Sequence, residues 1–475
     1  MVALKKFLGI DIGTTSLKAA VFDSEGNRIA KRTVDYVLDT DSKTGFIEFD
    51  ANKYVAMCKD VISDLNRECG KIDALSIDTQ GETLILTDET GNPLCPAIVW
   101  LDNRAVEEAD YIKAKFGNKL VYETTGQPEI TAGWPAAKLL WIKNKKPDVF
   151  KSIKKIFMLE DWILYSLTGN FVTEPTIQSS TIYYDITKKK WWQDVLDYIG
   201  IGEDMLPKLV PTASSVGEYE GITVVSGMLD QIAGTIGAGV TDSTKISEMT
   251  GTIMAICVMT DKIPPYTPDS IIPCHMHAID GKYCLILWSS TAGMALKWFK
   301  NELAEDFSFK ELDMIAEKVS PGSDGLVMLP YFCGSTMPKY NPDARAVFSG
   351  INLSHTRAHF ARSIMEAVAF TLRQNLEYVG DDNLEEIRIT GGGASSKLWS
   401  GIKSDVTGKV LKTLSESETA CLGSALIAAV GVGVYPTIED AARNAVRIKD
   451  VYVPSGADYS KAYEKYVELD SLMNK

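Results

Sequence analysis

The chain has 475 residues, which is too long for a single hydrophobic core and suits two domains. Apolar residues make up 45% and charged residues 24%, so the chain can bury a large core and we do not expect disorder to dominate. The formal net charge of −14 argues against nucleic acid and anionic membranes as partners.

The N-terminal segment predicts no export signal. Met1-Val2-Ala3-Leu4-Lys5-Lys6 contains no apolar stretch followed by a small-residue cleavage site, so we expect no signal peptide. The most apolar run, residues 424–435, is too short for a membrane span and is interrupted by Gly431 and Gly433. The eight cysteines lack repeated Cys-x-x-Cys spacing, which indicates reduced thiols. We therefore expect a cytoplasmic protein.

The first hundred residues alternate between apolar segments and turns. A helix is predicted over 51–69, because apolar residues follow helical spacing there and Gly70 is a good helix stop. The opening strands are expected to form an antiparallel meander. In chain order, strands are predicted over 7–12, 17–23, 28–36, 73–78, 83–87 and 97–100.

The turn after the first strand carries the groups that bind a phosphate. Gly13 lets the backbone approach an anion, and the hydroxyl donors of Thr14-Thr15-Ser16 follow. Asp11 lies at the strand end, where a carboxylate can hold Mg²⁺, and Lys18 adds a point charge. A plain hairpin turn is the alternative, and the Gly-Lys-Ser/Thr ending of a Walker loop is missing.

Two nearby segments have the side chains that a sugar site needs. Trp100 offers a ring face, while Asp102 and Arg104 offer groups that form paired hydrogen bonds with hydroxyls. Gln80 and Glu82 form a second polar pair. A capped loop is the alternative interpretation of each segment.

Asp230 is the candidate catalytic base. Residues 102–211 are predicted to be mainly helical, and a strand over 223–226 then leads to Asp230 and a helix of small residues. As a helix N-cap, Asp230 would have a structural role. As a positioned carboxylate of ordinary pKa, it can accept the proton of a sugar hydroxyl during phosphoryl transfer. The two roles can coexist.

A second unit is predicted to begin near Asp242. A strand over 245–249, the turn Thr250-Gly251-Thr252 and an apolar segment over 253–259 repeat the strand–turn–strand pattern of the N-terminus. This repetition favours a duplicated fold, in which the two turns face each other and clamp a polyphosphate. A long amphipathic helix is predicted over 356–379.

A glycine cluster lies between a strand predicted over 387–390 and a helix predicted over 396–407. Consecutive glycines cost conformational entropy, so Gly391-Gly392-Gly393-Ala394 favours close approach of an adenosine moiety. Tight strand–helix packing is the alternative. Cys274, His275 and His277 invite a zinc interpretation, but ligands at this spacing on a strand would converge poorly, so we do not expect zinc.

The order of these motifs resembles the FGGY carbohydrate kinases over essentially the whole chain. No motif is decisive alone, whereas nine in the same order are specific. In chain order they are Gly9 to Ser16, Ala97 to Arg104, Asp161 to Gly169, Gly227 to Gln231, Thr250 to Thr252, Ala292-Gly293 before Trp298, Phe348 to Gly350, Arg362 to Glu366, and Gly391 to Ala394.

The resemblance implies an α/β protein of two actin-like, ribonuclease-H-like domains with the active site in the cleft between them. The domains would be 1–241, with the sugar site and the base, and 242–475, with the nucleotide site. It implies that Asp230 is the general base and that Asp11 helps to bind Mg²⁺. Sugar contacts would come from Gln80, Glu82, Trp100, Asp102, Arg104, Asp230 and Gln231. ATP contacts would come from Gly13, Thr14, Thr15, Ser16, Lys18, Thr250, Gly251, Thr252, Gly293, Gly392, Gly393, Ala394 and Lys397.

Within the family, the length and the Trp-x-Asp-x-Arg run resemble xylulokinases. Those enzymes typically carry Gln-Met-His-Gly where this chain has Gln80-Gly81-Glu82-Thr83, which is closer to the Gln-Arg-Glu-Thr of glycerol kinases. We therefore expect phosphorylation of a ketopentose such as xylulose, with ribulose or a glycerol-like polyol as alternatives. A non-kinase actin-like ATPase and a silent sugar-binding regulator are further alternatives. Family analogy also suggests a homodimer.

Overall fold

The structure is a computed structural model that describes residues 5–268, 272–380 and 383–473. Residues 1–4, part of the segment in which we expect no signal peptide, lie outside the described residues. In the described part of the chain, no helix combines the length and the apolar character needed to cross a membrane.

The first half of the chain is a mixture of strands and helices. The strands are β1 Lys6–Ile12, β2 Ser16–Asp23, β3 Arg28–Asp35, β4 Asp39–Thr40, β5 Ile47–Phe49, β6 Ala74–Thr79, β7 Leu84–Thr87, β8 Ala97–Ile98, β9 Lys155–Met158, β10 Val172–Thr173, β11 Tyr184–Asp185, β12 Lys190–Trp191, β13 Lys208–Leu209, β14 Ser215–Tyr219 and β15 Ile222–Leu229. The helices are α1 Ala51–Cys69, α2 Val106–Phe116, α3 Asn118–Thr125, α4 Pro135–Lys145, α5 Pro147–Ser152, α6 Leu159–Thr168, α7 Pro175–Gln178, α8 Gln193–Ile199 and α9 Asp230–Gly237.

The second half of the chain repeats this mixture. Its strands are β16 Lys245–Thr250, β17 Met254–Thr260, β18 Cys274–Met276, β19 Tyr283–Ser289, β20 Val327–Leu329, β21 Val347–Ser349, β22 Glu386–Thr390, β23 Val410–Leu414 and β24 Ile448–Tyr452. Its helices are α10 Gly293–Leu303, α11 Phe309–Ala316, α12 Arg357–Val379, α13 Lys397–Thr407, α14 Thr419–Gly431, α15 Ile438–Ala445 and α16 Ser460–Met473.

The chain folds into two compact units that are not continuous in sequence. The first unit contains the residues up to Thr241 together with Met259–Leu285 and Glu418–Val446, and the second contains the remainder. The chain therefore passes between the units at residue 242, where we predicted a domain boundary, and again at four later points. The assignment of sugar binding to 1–241 and nucleotide binding to 242–475 stays a prediction.

The sheet of the first unit has the strand order β14-β15-β6-β1-β2-β3. Strands β1, β2 and β3 form the predicted antiparallel meander, and β6 pairs in parallel with both β1 and β15. Because β1, β6 and β15 run in one direction, their C-terminal ends lie at the same edge of the sheet. This edge is where open α/β sheets usually bind their ligands.

Helices cover this sheet and build its core. Helices α1 and α6 pack on one face around buried residues that include Tyr54, Ile62 and Ile163. Helix α14 packs against β1, β6 and α9. The approach of α14 is close, since a Cβ atom on Gly9 would lie 1.8 Å from the backbone oxygen of Cys421.

The second unit repeats the strand pattern of the first. Strand β16 pairs antiparallel with β17 and in parallel with β22, and β22 pairs in parallel with β23. Strand β24 adds an antiparallel edge beside β23, as β14 does beside β15. The duplication that the two turns suggested is therefore present in the strand topology.

The predicted elements differ from the observed ones mainly at their ends. Helices α12 and α13 begin one residue later than expected, because Thr356 and Ser396 occupy their N-cap positions. The predicted strand over 223–226 is longer, since β15 continues through Gly227 to Leu229. The helical prediction for 102–211 is correct for α2 to α8, but it omitted the short strands β9 to β13.

Candidate active site

Three carboxylates meet at the C-terminal edge of the first unit's sheet. Asp11 lies near the end of β1 and is the register partner of Asp78 in the neighbouring strand β6. On the other side of β6, Met228 is paired with Asp78, and Asp230 follows directly after β15. Three adjacent strands therefore each bring one carboxylate to this edge.

The electrostatics of the site reflect this crowding. Burial raises the pKa of Asp78 well above its ordinary value, and the neighbouring charges of Asp11 and Asp230 raise it further. The Ser424 hydroxyl donates a hydrogen bond to Asp78 Oδ2 over 2.6 Å. Burial also raises the pKa of Asp11 to about 6, against the opposing effect of the Lys18 charge. A cation at this edge would relieve the repulsion between the carboxylates.

Sequence reasoning missed Asp78. The signal was available, because Asp78 is an acidic residue near the end of a strand that is otherwise buried and largely apolar. The rule that parallel strand ends share an edge would have placed it beside Asp11.

Asp230 is the first residue of α9, and Leu229 occupies the N-cap position. The N-cap role that we considered for Asp230 is therefore wrong. Its Oδ1 atom instead accepts a hydrogen bond of 2.7 Å from the backbone N–H of Gln231. The strand end and the first helical turn together fix where this carboxylate lies.

The donor set suits a hard divalent cation that is only partly held by protein. Within residues 5–268, 272–380 and 383–473, no three His, Cys, Asp or Glu side chains come close enough to hold a metal ion, and this includes the segment around His275 and His277. Mg²⁺ normally keeps several waters and is bound by one or two carboxylates plus substrate phosphates. Asp11 with its neighbour Asp78 fits that pattern of ligation.

The first turn is tightly closed. The N–H of Gly13 donates to the Ser16 carbonyl over 3.1 Å, and Thr15 is exposed. The indole N–H of Trp100 donates to the Thr14 hydroxyl over 3.0 Å, so a predicted sugar contact touches a predicted phosphate contact. Lys18 is the cross-strand partner of Asp11, and its ammonium lies 3.4 Å from Glu418 Oε2.

Near Gln80, the fully buried Lys138 binds the backbone of the partly buried Glu82. Lys138 Nζ donates to the carbonyls of Glu82 and Val99 over 3.0 and 2.9 Å. Burial raises the pKa of Glu82 to about 7 and lowers that of Lys138 to about 7. Glu82 also has φ of 53°, a conformation that is costly for a residue with a side chain. Gln80 is buried, and its amide donates to the Tyr54 hydroxyl over 3.3 Å.

Asp102 and Arg104 are bound mainly to each other. Arg104 donates from Nε and Nη2 to the two Asp102 oxygens, each over 2.8 Å, and the Ile47 N–H adds a third bond of 2.7 Å. The guanidinium also lies 3.9 Å from the centre of the Phe46 ring and bonds Glu48. The hydrogen-bonding capacity of Asp102 is thus largely used within the protein, and this clamp fixes the loop that carries Trp100.

In the second unit, the predicted turn Thr250-Gly251-Thr252 is held by a buried lysine of the protein interior. The buried Lys403 ammonium donates to Glu248 Oε2 over 2.7 Å and to the Thr250 hydroxyl over 2.5 Å. The Thr250 hydroxyl in turn donates to the other Glu248 oxygen. The Thr250 side chain therefore points inward, and only the backbone of this residue is left for an anion.

The structure brings the remaining predicted nucleotide residues of the second unit together. The Gly293 N–H, at the start of α10, donates to the Gly251 carbonyl over 2.9 Å. A Cβ atom on Gly391 or Gly393 would lie 2.6 Å from an atom of Thr250, so the glycine cluster packs directly on the turn. Gly392 and Lys397 are exposed beside it, as is Thr252, and Ala394 is half-buried.

Comparison with known proteins identifies relatives over nearly the whole chain. Residues 6–247 match the N-terminal domain of the FGGY family of carbohydrate kinases, and residues 264–432 match the C-terminal domain of that family. A xylulose kinase from Lactococcus lactis subsp. lactis is 27% identical over 481 residues, covering 97% of this chain and 95% of the relative. A gluconokinase from Bacillus subtilis is 29% identical over 456 residues, covering 90% and 87%.

Solved structures agree with these sequence matches. A ligand-bound xylulose kinase from Lactobacillus acidophilus has a TM-score of 0.91 at 26% identity, covering 99% of this chain and 98% of that one. The predicted two-domain α/β architecture is therefore confirmed.

Proposed function

Because the chain belongs to the FGGY family of carbohydrate kinases, we propose that it transfers the γ-phosphoryl group of ATP to a hydroxyl of a ketopentose such as xylulose. The protein is a carbohydrate kinase, so its acceptor is an alcohol group. The observation that carries the proposal is the meeting of Asp11, Asp78 and Asp230 at one sheet edge.

Asp230 is the proposed general base. In the loose transition state of phosphoryl transfer, the attacking hydroxyl keeps its proton until late, so a carboxylate that is well placed suffices. Its place at the junction of β15 and α9 fixes the position of its carboxylate relative to the other two strand ends.

Asp11 is the proposed protein ligand of Mg²⁺, with Asp78 beside it. When bound, the ion neutralises charge on the phosphates of ATP. Lys18 is the cross-strand neighbour of Asp11, and its charge lowers the pKa of that carboxyl against the effect of burial. The backbone of Gly13 to Ser16 offers the phosphates a close approach.

The second unit is proposed to bind the rest of the nucleotide. The backbone of Gly251 and Thr252 forms a small-residue surface with Gly392, and a Cβ atom on Gly392 would meet nothing within 4 Å, so a ligand has room close to the main chain there. Gly392 and Lys397 lie exposed on it. Tight packing on Thr250 accounts for Gly391 and Gly393, which leaves Gly392 for the proposed adenosine site.

The sugar is proposed to contact Trp100, Glu82, Gln80 and Gln231, while the Asp102–Arg104 pair holds the loop in place. The xylulose kinase relatives favour a ketopentose. A polyol or another neutral sugar is the second candidate, because the partly exposed Glu82 carboxylate accepts hydrogen bonds from hydroxyls but repels a sugar acid.

The test is a coupled assay for ADP release with MgATP and a panel of ketopentoses, ketohexoses, polyols and gluconate. We expect release only with a suitable neutral sugar, together with a phosphorylated product in mass spectrometry. Asp230→Asn, which keeps the shape of the side chain, should lower kcat by roughly 10²–10⁴-fold. Release of ADP without sugar that Asp230→Asn leaves unchanged would refute the kinase mechanism proposed here.

A further inference from the structure

Strand β15 contains a bulge directly before the proposed base. In its pairing with β6, Val225 is opposite Ser76 and Met228 is opposite Asp78, so β15 has one extra residue in this stretch. A bulge of this kind re-aims the strand and takes backbone groups out of the ladder. The N–H groups of the bulged stretch must then find partners elsewhere.

Glu160 supplies one of these partners. Its Oε1 atom accepts a hydrogen bond of 2.8 Å from the Gly227 N–H. A side chain at position 227 is excluded, because a Cβ atom there would lie 1.7 Å from the Ile77 carbonyl oxygen. The bulge is therefore defined by a glycine on one side and by a buried glutamate from α6 on the other.

Thr176 binds β15 just after the bulge, where Leu229 is again in register with Thr79 of β6. Its hydroxyl accepts a hydrogen bond of 2.9 Å from the N–H of Leu229, the residue before Asp230. The same hydroxyl donates to Glu174 Oε1 over 2.6 Å, and this fixes its lone pairs toward Leu229. Glu174 is held in turn by the Thr212 hydroxyl over 2.7 Å.

Burying the carboxyl group of Glu160 is energetically costly. Glu160 is completely buried, and its Oε2 atom has no hydrogen-bond partner among the described residues. Burial and the nearby charges of Glu174 and Asp161 raise the pKa of Glu160 well above its ordinary value. Costly buried polar groups concentrate where they fix a functional geometry.

We propose that Glu160 and Thr176 are positioning residues that aim the Asp230 carboxylate by holding the β15 bulge. Neither residue is a catalytic residue, since each acts through the backbone of β15. The inference rests on the proposed function of Asp230 as base. It adds that the β15 bulge, held by Glu160 and Thr176, orients the Asp230 carboxylate.

The kinetic test compares Glu160→Leu with Glu160→Gln and with Asp161→Leu. Glu160→Leu keeps the volume but removes the acceptor for Gly227, so kcat should fall by roughly 10–100-fold while KM for ATP changes little. Glu160→Gln keeps a neutral acceptor and should restore most of kcat. Asp161 is an equally buried neighbour on α6 that bonds Met158 and Gln178 but not β15, which makes it the matched control.

A structural role alone would give a different pattern. Both leucine variants should lower the midpoint of thermal unfolding, but only Glu160→Leu should lower kcat beyond that shared effect. In an Asp230→Asn background, Glu160→Leu should cause little further loss, because there is no longer a base to aim. Equal kcat losses in the two leucine variants, or full additivity with Asp230→Asn, would overturn the proposal.

A second measurement does not depend on turnover. Amide hydrogen exchange at Gly227 should accelerate in Glu160→Leu, and that at Leu229 should accelerate in Thr176→Val, with neither change in Asp161→Leu. Unchanged exchange at both amides overturns the positioning role whatever the activity.

Thr176→Val, with Thr176→Ser as its conservative partner, gives the same kinetic comparison if Glu160→Leu does not fold. If the wild type shows no sugar-dependent ADP release while the variants show these exchange changes, the proposed function is refuted, but the role of Glu160 and Thr176 in holding the β15 bulge is supported.

Discussion

We propose that Glu82 is the residue on which the choice of sugar depends most. It lies in Gln80-Gly81-Glu82-Thr83, the motif that we predicted to differ from the Gln-Met-His-Gly typical of xylulokinases, and its backbone has the strained φ of 53°. Two opposing effects set the charge of Glu82. Burial raises its pKa, whereas the Ser180 hydroxyl and the Lys138 charge lower it. A carboxylate in this balance changes its state close to neutral pH.

This balance predicts a pH-dependent affinity for the sugar. With a pKa of about 7, Glu82 is about nine-tenths ionised at pH 8 and about one-tenth ionised at pH 6 in the free enzyme. The ionised form is the better acceptor for sugar hydroxyls, so KM for the sugar should rise several-fold on going from about pH 8 to about pH 6. Steady-state kinetics across this range, at saturating MgATP, measure the effect.

The control is Glu82→Gln, which cannot ionise. Its KM for the sugar should stay near the value that the wild type reaches at low pH and should vary much less with pH. Lys138 titrates near the same pH, so Lys138→Met is measured alongside to separate the two groups. If Glu82→Gln keeps the pH profile of the wild type, Glu82 does not control sugar affinity.

Single residues also mark the limit of what the sequence could predict. Asp11 and Asp230 were recognised because they lie next to conspicuous turns. Asp78 lies inside a strand. Its place beside Asp11 and Asp230 becomes evident only when β1 and β15 are known to lie on either side of β6. Likewise, Thr250 was expected to line the ATP site, and nothing in the local sequence indicated that Lys403, far along the chain, would bind its hydroxyl from inside the protein.

At the scale of elements, the turn between β16 and β17 depends on the helix behind it. Lys403 on α13 and Glu248 on β16 are both almost fully buried and form an ion pair of 2.7 Å that also fixes Thr250. Removing one partner of a buried pair leaves an uncompensated charge and typically costs about 3–5 kcal/mol. A shifted Thr250 would also collide with the glycine cluster packed on it.

We therefore predict that Lys403→Met both destabilises the protein and weakens nucleotide binding. KM for ATP should rise about tenfold, equivalent to ~1.4 kcal/mol, with little change in KM for the sugar. The matched control is Arg362→Met, which breaks another buried pair, with Glu366, within helix α12. It should lower the thermal midpoint without raising KM for ATP; equal KM changes in the two variants would contradict a specific role of Lys403.

The elements that the sequence predicted well are those stabilised by their own residues. Helix α1 has a clear apolar stripe and a glycine stop, and the β1–β2–β3 meander has obvious turns. Strand β15 was cut short in the prediction, because its last residues resume their pairing with the distant strand β6 only after a bulge, and Glu160 and Thr176 bind their backbone N–H groups there. Local pattern cannot anticipate hydrogen bonds supplied from more than fifty residues away.

At the scale of the whole molecule, the chain order conceals the composition of the units. Helices α14 and α15 come late in the sequence, yet they belong to the first unit. The glycine contacts of α14 with β1 and α9 explain this, since each requires a backbone approach that only the folded pair reveals. A chain divided at one point by sequence alone could not anticipate the return of this segment.

The whole protein should also be stabilised by its nucleotide in a metal-dependent way. A ligand that binds only the folded state at 100 times its Kd adds about 2.7 kcal/mol to stability. Since net charge −14 opposes binding of a polyanion, much of this gain should require Mg²⁺ held at Asp11. Thermal unfolding with a non-hydrolysable ATP analogue should therefore show a larger midpoint increase with Mg²⁺ than with EDTA.

Asp11→Asn should lose this difference while Lys397→Met keeps it, because Lys397 is proposed to contact the nucleotide and not the ion. A metal-dependent increase of wild-type size in Asp11→Asn would remove Asp11 from the metal site.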